Sequence, residues 1–272
     1  MNFDCSVVIT GKNCANYISE ALGSLSEQVG LDSLELIYVD DGSIDGSLTI
    51  VKSYAYPNFI ELKYFSCNVG RAKALDYGVK KSSSDYICIL DADDKFHPNK
   101  ISKQLEIMKE SNYDVLGTSY TSDDNNSSFN GGIITSDYSI RKIELNDIIR
   151  GNPICHSSVI MKRNVVSYDI TRKRQIDLKL WLDLASDKRS IGIISIPLTY
   201  KRLHENQSFE AKGRLAYSLS SFLLTVSYAK PFFYFLPDLS YRTCKLIFHL
   251  LPRKLTSKIK KIRSVGSFYR NT

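Results

Sequence analysis

Acidic residues follow a short apolar run in the sequence ICILDADDKF. Asp91, Asp93 and Asp94 fall within four positions there, and a second acidic pair, Asp40 and Asp41, ends the apolar run ELIYV. Carboxylates this close repel one another, so we expect a cation to compensate them. Mg²⁺ and similar hard divalent cations bind carboxylate oxygens together with substrate phosphates and water. Because Asp91 and Asp93 point the same way on an extended chain, this D-x-D predicts a divalent-metal site.

Other interpretations of the acidic cluster remain open on these residues alone. In the simplest, Asp94 caps a helix that begins near Pro98, and the remaining carboxylates are merely solvated. Phosphoacceptor receiver domains and phosphatases with a nucleophilic D-x-D also carry acids at strand ends. Both classes are disfavoured, because a receiver domain is much shorter than this chain and the phosphatase nucleophile normally follows the first strand of its core. Asp91 lies on the fourth predicted strand.

Alternating strands and helices must position these acids. The pattern of short apolar runs and helically spaced apolar residues predicts a doubly wound α/β fold with a mostly parallel sheet. Ligands bind such sheets beyond the carboxyl ends of the strands, so the acids are expected to converge on one edge. The predicted strands are 6–10, 35–43, 60–65 and 85–91, and the predicted helices are 17–25, 45–55, 71–81 and 98–110.

Later segments are predicted in less detail. The polar, glycine-rich residues 121–132 are typical of an exposed loop or hairpin tip. A turn leading into another strand is expected within 151–170. The sequence LKLWLDLA, residues 178–185, has its apolar residues on one helical face, and Asp177 comes just before it.

Length and composition indicate an ordinary globular protein. The 272 residues, 43% of them apolar, are enough for one large domain, or for one domain with an appendage. Six scattered cysteines without a C-x-x-C pair are typical of reduced thiols in a cytosolic protein. The N-terminal sequence MNFDCSVVIT is not that of a secretory signal, so we expect none.

Positive charge is concentrated at the C-terminal end. The net charge is +7, but residues 201–272 carry +11 and residues 1–200 carry −4. The sequence CKLIFHLLPRKLTSKIKKIRS alternates apolar and basic residues, which favours an amphipathic segment on an anionic membrane surface. A basic helix packed on the domain, or a disordered end, is the alternative. No apolar run reaches the ~18 residues of a membrane span, and no nucleic-acid-binding module is recognisable, so we expect no nucleic-acid partner.

The chain resembles family 2 glycosyltransferases, which are inverting enzymes of the GT-A fold, in five segments within about residues 5–208. The segments are VVITGKNCANYISEALGSLSEQ, ELIYVDDGSIDGS, NVGRAKALDYGVKKSSSDYICILDADD, NPICHSSVIMKR and IDLKLWLDL. The occurrence of all five segments in this order is far more specific to the family than any one segment. The resemblance implies a Rossmann-like GT-A domain over 1–212, followed by a helical, basic, membrane-associating extension over 213–272.

The resemblance also implies how a sugar nucleotide would be held. Thr10 and Asn13, after the first strand, would contact the nucleoside. The Asp41 carboxylate would accept a hydrogen bond from the base, with Asp40 in support.

Metal binding and catalysis are implied for a second group of residues. Asp91 and Asp93 match the D-x-D motif, in which the second acid contacts the metal most directly and the first also faces the sugar or ribose. Asp177 matches the general base. Arg202 and His204, in KRLHENQS, would approach the diphosphate or the metal, which would be Mn²⁺ or Mg²⁺.

Two departures from the family pattern bear on these roles. Leu75-Asp76 stands where the family usually has Arg-Asn, so Arg71 or Lys73 on the same helix would have to supply the phosphate contact. An isoleucine precedes Asp177 where the family often has a glutamate, so a single acid must act as base.

The resulting prediction is a metal-dependent hexosyl- or N-acetylhexosaminyltransferase that uses a nucleoside-diphosphate sugar, with UDP as the expected nucleotide. The expected acceptor is a saccharide or a lipid-linked saccharide in cell-surface polysaccharide synthesis, at the inner face of the plasma membrane. The alternative is a catalytically inactive nucleotide-sugar-binding or scaffold protein of the same fold. For single residues, Asp177 as a plain helix N-cap and His204 as a structural or exposed residue are the alternatives.

Overall fold

A mixed β-sheet organises the first of two units into which the chain divides, at Leu203–His204. The computed structural model describes residues 3–122, 137–203 and 214–229. The predicted boundary after residue 212 stays a prediction. Residues 123–132 of the predicted exposed loop, His204 and the basic sequence after Ala229 lie outside the described residues.

Strands and helices alternate along the first part of the chain, as predicted. Each predicted element is present, with bounds that differ by a few residues. The elements are β1 (Cys5–Gly11), α1 (Ile18–Ser26), β2 (Leu34–Asp40), α2 (Ser47–Ser53), β3 (Ile60–Ser66), α3 (Arg71–Lys81), β4 (Tyr86–Ile89), β5 (Lys95–Phe96) and α4 (Lys100–Glu110).

The remainder of this unit adds four more strands and two helices. Two short 3₁₀ turns flank β8, at His156–Ser158 and Arg163–Val165. The elements are β6 (Val115–Thr121), β7 (Ile140–Ile143), α5 (Leu145–Arg150), β8 (Ile160–Lys162), α6 (Ile176–Ser186) and β9 (Ile191–Tyr200).

The strands lie in the order β3-β2-β1-β4-β8-β6-β9-β5, and β7 also pairs with β9. Strands β1–β4 are mutually parallel, and β6 is parallel to β9. Strand β8 runs antiparallel to its neighbours β4 and β6, while β5 and β7 run antiparallel to β9. The predicted doubly wound, mostly parallel sheet is therefore confirmed, with antiparallel strands added in its second half.

The order of the strands locates a binding edge. The chain proceeds outward from β1 to β3 and then returns to the other side of β1 with β4. Ligands bind open α/β sheets at such a reversal, beyond the carboxyl ends of the strands. The acidic residues after β2 and β4 both lie at this edge.

Helix α3 approaches the sheet very closely at Gly78. A Cβ atom placed on Gly78 would lie 2.5 Å from Cγ1 of Val8, in the middle of the buried strand β1. Only glycine permits this spacing. The close approach brings the N-terminal end of α3, with Arg71, over the carboxyl ends of the parallel strands.

In the second unit, the structure describes helix α7 (Arg214–Val226), which falls within the predicted extension. Leu219 and Leu223, one turn apart, expose apolar side chains. Among the described residues, no helix combines the length and the hydrophobicity required to cross a bilayer.

Two glycine-to-alanine changes in helices test the close approach. Gly78→Ala should lower the free energy of unfolding by about 1 kcal/mol net, because overpacking against Val8 outweighs the gain in helix propensity. Gly23→Ala in α1 is the matched control: its nearest neighbour would be the Tyr54 hydroxyl at 3.6 Å, so it should stabilise the protein by roughly 0.5–1 kcal/mol. Urea denaturation measures both changes, and equal effects would contradict the proposed packing.

Candidate active site

Asp91, just after β4, is held by two side chains. Its Oδ1 atom accepts a hydrogen bond from the Arg71 guanidinium at 2.6 Å and lies 3.3 Å from Nδ1 of His156. Burial would raise the pKa of Asp91, but Arg71 and His156 outweigh that effect and hold the pKa well below its usual range. Asp91 is therefore ionised, and Arg71 is its principal counter-charge.

The three aspartates of the sequence DADD form a compact cluster. Each of Asp91, Asp93 and Asp94 offers one carboxylate oxygen within 4.8 Å of the others. The Asp94 oxygens accept hydrogen bonds from Oγ of Ser157, at 2.5 Å, and from the backbone N–H of Arg202, at 3.0 Å. Burial, together with repulsion from the neighbouring acids, raises the pKa of Asp94 to about 8.

Asp94 is not the cap of the following helix. Helix α4 begins at Lys100, and Asn99 occupies its N-cap position. Asp94 instead connects the D-x-D turn to the turn before β8, through Ser157, and to the end of β9, through Arg202. The interpretation of Asp94 as a helix cap was therefore wrong.

Arg202 fixes the other side of the same turn. Its Nε donates to the backbone carbonyl of Asp93 at 3.1 Å, and its Nη2 lies 2.6 Å from Oε2 of Glu20 in α1. The guanidinium also lies over the rings of Tyr17 and Tyr200. These contacts hold the D-x-D backbone in place, and the predicted contact of Arg202 with the donor stays a prediction.

Asp40 and Asp41 differ in environment although they are adjacent. Asp41 Oδ1 accepts from the backbone N–H groups of Val69 and Gly70, at 2.8 and 2.9 Å, immediately before α3. Asp40 Oδ2 accepts from the backbone of the following turn, Gly42 and Ser43. Its Oδ1 is buried and has no hydrogen-bond partner among the residues the structure describes. This burial agrees with a supporting role for Asp40.

The loops after β1 and β2 are tied together by Asn13. This residue has a left-handed backbone (φ 55°), its N–H donates to Oγ of Ser43, and its Oδ1 accepts from the backbone of Ile44. Thr10 is partly buried near the end of β1, next to Gly11, whose carbonyl accepts from the Asp41 N–H at 2.8 Å. All of the predicted nucleoside-binding residues thus lie at one corner of the edge.

Asp177 lies in the first turn of α6, and Gln175 holds the N-cap position. The simple N-cap interpretation of Asp177 is therefore wrong. The pKa of Arg71 is raised first by Asp91 and further by Asp177 and Asp93, so the last two carboxylates lie near enough to interact electrostatically with the guanidinium that Asp91 binds directly. Asp177 is partly exposed.

Helix α3 presents Arg71, and not Lys73, to the acids. Lys73 is exposed two residues along the helix, and residues two apart do not share a face. Leu75, where the family usually has arginine, is fully buried, and Asp76 forms an ion pair with Lys80 at 2.7 Å. Arg71 is thus the cation of α3 that reaches the D-x-D motif.

From the sequence alone, His156 is expected only to pack, in the core or in the acceptor cleft, and Ser157 and Tyr168 have no predicted role. His156 and Ser157 contact the D-x-D turn directly, and Tyr168 bonds to His156. The only available signal was the polar sequence HSS inside an apolar strand-forming segment.

The donor set suits a hard divalent cation. Asp91 and Asp93 supply carboxylate oxygens at the exposed side of the cluster, whereas the Asp94 oxygens are bonded to protein groups. A hard cation with one or two protein carboxylates leaves coordination positions for phosphate oxygens and water, as Mg²⁺ or Mn²⁺ would.

Comparison with known proteins identifies the family to which the chain belongs. The family model "Glycosyl transferase family 2" matches residues 6–168. The protein named "Putative glycosyltransferase EpsE" of Bacillus subtilis is 27% identical over 274 residues, which cover 95% of this chain and 93% of that protein. For several other relatives, the match spans between 33% and 40% of their length.

Two solved structures share the fold at low sequence identity. Residues 1–349 of TarS from S. aureus, in complex with UDP-GlcNAc, superpose with a TM-score of 0.63 at 17% identity, covering 92% of this chain and 82% of that one. The mannosyltransferase PcManGT of Pyrobaculum calidifontis, in complex with GDP-Man and Mn²⁺, gives 0.64 at 14% identity, covering 99% and 82%. The predicted GT-A fold is confirmed, and the chain belongs to glycosyl transferase family 2.

Proposed function

We propose that this glycosyltransferase is an inverting, metal-dependent enzyme that transfers a hexosyl or N-acetylhexosaminyl group from a UDP-linked donor. The observation that carries the proposal is the cluster of Asp91, Asp93 and Asp94 at the carboxyl edge of the sheet, where Arg71 bonds to Asp91 and Asp177 is near enough to raise the pKa of Arg71. A pair of acids that can hold a metal, together with a separate and partly exposed acid nearby, suits displacement at a sugar carbon.

The nucleoside would bind at the corner formed by the loops after β1 and β2. Asp41, anchored by Val69 and Gly70, would accept a hydrogen bond from the base. Thr10 and Asn13 would line the same corner. A UDP donor is supported by the TarS complex with UDP-GlcNAc, whereas the GDP-Man complex of PcManGT indicates that the fold also accommodates another base.

The diphosphate would lie between the D-x-D motif and the N-terminal end of α3. Asp93, and Asp91 beside it, would hold the cation, and Arg71 would add a fixed positive charge next to the phosphates. A bound Mn²⁺ or Mg²⁺ supplies electrostatic stabilisation of the negative charge that develops on the departing nucleoside diphosphate. His204 is proposed as a further ligand on the family pattern alone.

Asp177 would act as the general base. An acceptor hydroxyl must lose its proton as it attacks the anomeric carbon, and a positioned carboxylate accelerates such a step by on the order of 10²–10⁴-fold. Attack from the face opposite the leaving group inverts the anomeric centre. The hydroxyl would therefore enter between α6 and the D-x-D turn.

The acceptor is proposed to be a saccharide or a lipid-linked saccharide of cell-surface polysaccharide synthesis. Support comes from the C-terminal sequence, where residues 201–272 carry a charge of +11 and the segment CKLIFHLLPRKLTSKIKKIRS alternates apolar with basic residues. Such a segment favours the anionic inner face of the plasma membrane. The rival proposal, a binding protein without activity, shares the fold and differs in that it needs no base.

Two substitutions distinguish the enzyme from the inactive binder. Asp177→Asn should reduce transfer by on the order of 10²–10⁴-fold while retaining donor affinity, because only proton abstraction is lost. Asp93→Ala should abolish metal-dependent donor binding as well. Asp187→Asn, at the exposed end of α6, is the matched control. UDP release from a panel of UDP-sugars measures activity, and wild-type protein that releases none from any donor supports the inactive binder.

Chelation tests the metal. UDP with Mn²⁺ should raise the unfolding temperature, since ligand at 100 times its Kd stabilises a protein by about 2.7 kcal/mol. EDTA or Asp93→Ala should remove the shift, and GDP should produce a smaller one. Thermal unfolding followed by fluorescence records these shifts. A UDP shift that survives EDTA would rule out the metal-dependent site.

Charge replacement in the full-length chain tests membrane attachment. Changing Lys258, Lys260 and Lys261 together to Glu should abolish sedimentation with phosphatidylglycerol vesicles at low salt, because the attraction is electrostatic. Three exposed lysines of the α/β unit, changed to Glu in the same way, provide a control of equal charge. These are Lys80, Lys109 and Lys188. If the control variant loses binding and the tail variant keeps it, the tail is not the attachment site.

A further inference from the structure

His156 lies in a buried turn beside the D-x-D motif. It begins the 3₁₀ turn before β8 and is 7% exposed. Because β8 pairs antiparallel with β4, with Ile160 opposite Cys88, this turn lies beside the end of β4, where Asp91 follows. The imidazole therefore meets the D-x-D motif from the second half of the sheet.

Both ring nitrogens of His156 are engaged. Nδ1 lies 3.3 Å from Oδ1 of Asp91, and Nε2 lies 2.9 Å from the hydroxyl of the buried Tyr168. An ionised carboxylate only accepts hydrogen bonds, so Nδ1 carries the proton that points to Asp91. The bond at Nε2 fixes the other end of the ring, so the imidazole cannot rotate away without breaking a buried hydrogen bond.

The same ring packs against the helix that carries the proposed base. The rings of His156 and Trp181 meet edge-on, with their centroids 6.2 Å apart. Trp181 is fully buried in α6, four residues after Asp177, and residues four apart lie on the same face of a helix. His156 thus touches both a D-x-D carboxylate and the helix of the base.

We propose that His156 is a positioning residue that sets the Asp91 carboxylate at a fixed place relative to helix α6. This inference rests on the proposed function and deepens it. A donor held at the D-x-D motif must present its anomeric carbon to an acceptor oxygen beside Asp177, and a displacement of about 1 Å in such an arrangement can cost on the order of 10²-fold in rate. Arg71 also bonds to Oδ1 of Asp91, so loss of His156 misplaces the carboxylate without removing the donor site.

Three variants of the full chain test the proposal through UDP release with Mn²⁺ present. His156→Leu, which removes both hydrogen bonds, should lower kcat about 10- to 100-fold and change the KM for the donor by less than about threefold. His156→Asn, whose amide N–H can replace Nδ1–H toward Asp91, should recover most of that loss. Tyr168→Phe should have an effect smaller than that of His156→Leu, since it leaves the contact with Asp91 in place.

The comparison of the leucine and asparagine variants separates positioning from a structural role. If both variants show the same reduction in kcat while their unfolding temperatures match that of the wild type, the hydrogen bond to Asp91 does not contribute to kcat. The inference is then overturned. An unchanged kcat in His156→Leu, or a loss confined to KM, overturns it as well. If His156→Leu fails to fold, the asparagine variant decides the test. A wild-type kcat in His156→Asn supports the inference, and a reduced kcat in His156→Asn contradicts it. A wild-type enzyme that turns over no donor overturns the proposed function, and this inference with it.

Discussion

Charge compensation at Asp91 is the interaction on which the edge of the sheet depends. Three elements far apart in sequence meet there: the D-x-D turn after β4, the start of α3 and the turn before β8. The carboxylates of Asp91, Asp93 and Asp94 would repel one another, and the Arg71 guanidinium, 2.6 Å from Asp91, makes their approach tolerable. This edge of the sheet is thus assembled around a cation that belongs to the chain itself.

The two halves of the sheet contribute different parts of this arrangement. The parallel strands β1–β4 follow the Rossmann pattern, and their ends carry Asp40, Asp41 and the D-x-D acids. The second half, beginning with the antiparallel β8, brings His156, Ser157 and α6. Arg202, at the end of β9, then returns to the D-x-D backbone and to Glu20. The D-x-D turn is therefore held from both halves, and neither could define its geometry alone.

Much of the first half could be predicted from the sequence, because each strand there is an apolar run and each following helix repeats its apolar residues at helical spacing. Acids directly after strands then had to share one edge. The second half was harder, since β8 has three residues, β5 has two, and pairing between distant antiparallel strands leaves no local periodicity. The contact between His156 and Asp91 joins residues 65 positions apart, and only the position of β8 beside β4 creates it.

Neighbouring residues in the turn before β8 hold different aspartates: His156 contacts Asp91, and the Ser157 hydroxyl both donates to Asp94 and accepts from the Asp91 backbone. These bonds share one short stretch of backbone, so they cannot be adjusted independently. Any sequence change that shifts β8 along β4 would move every one of them together. Natural variation in this region is therefore constrained to preserve the strand register, even where the side chains of β8 itself are free to vary.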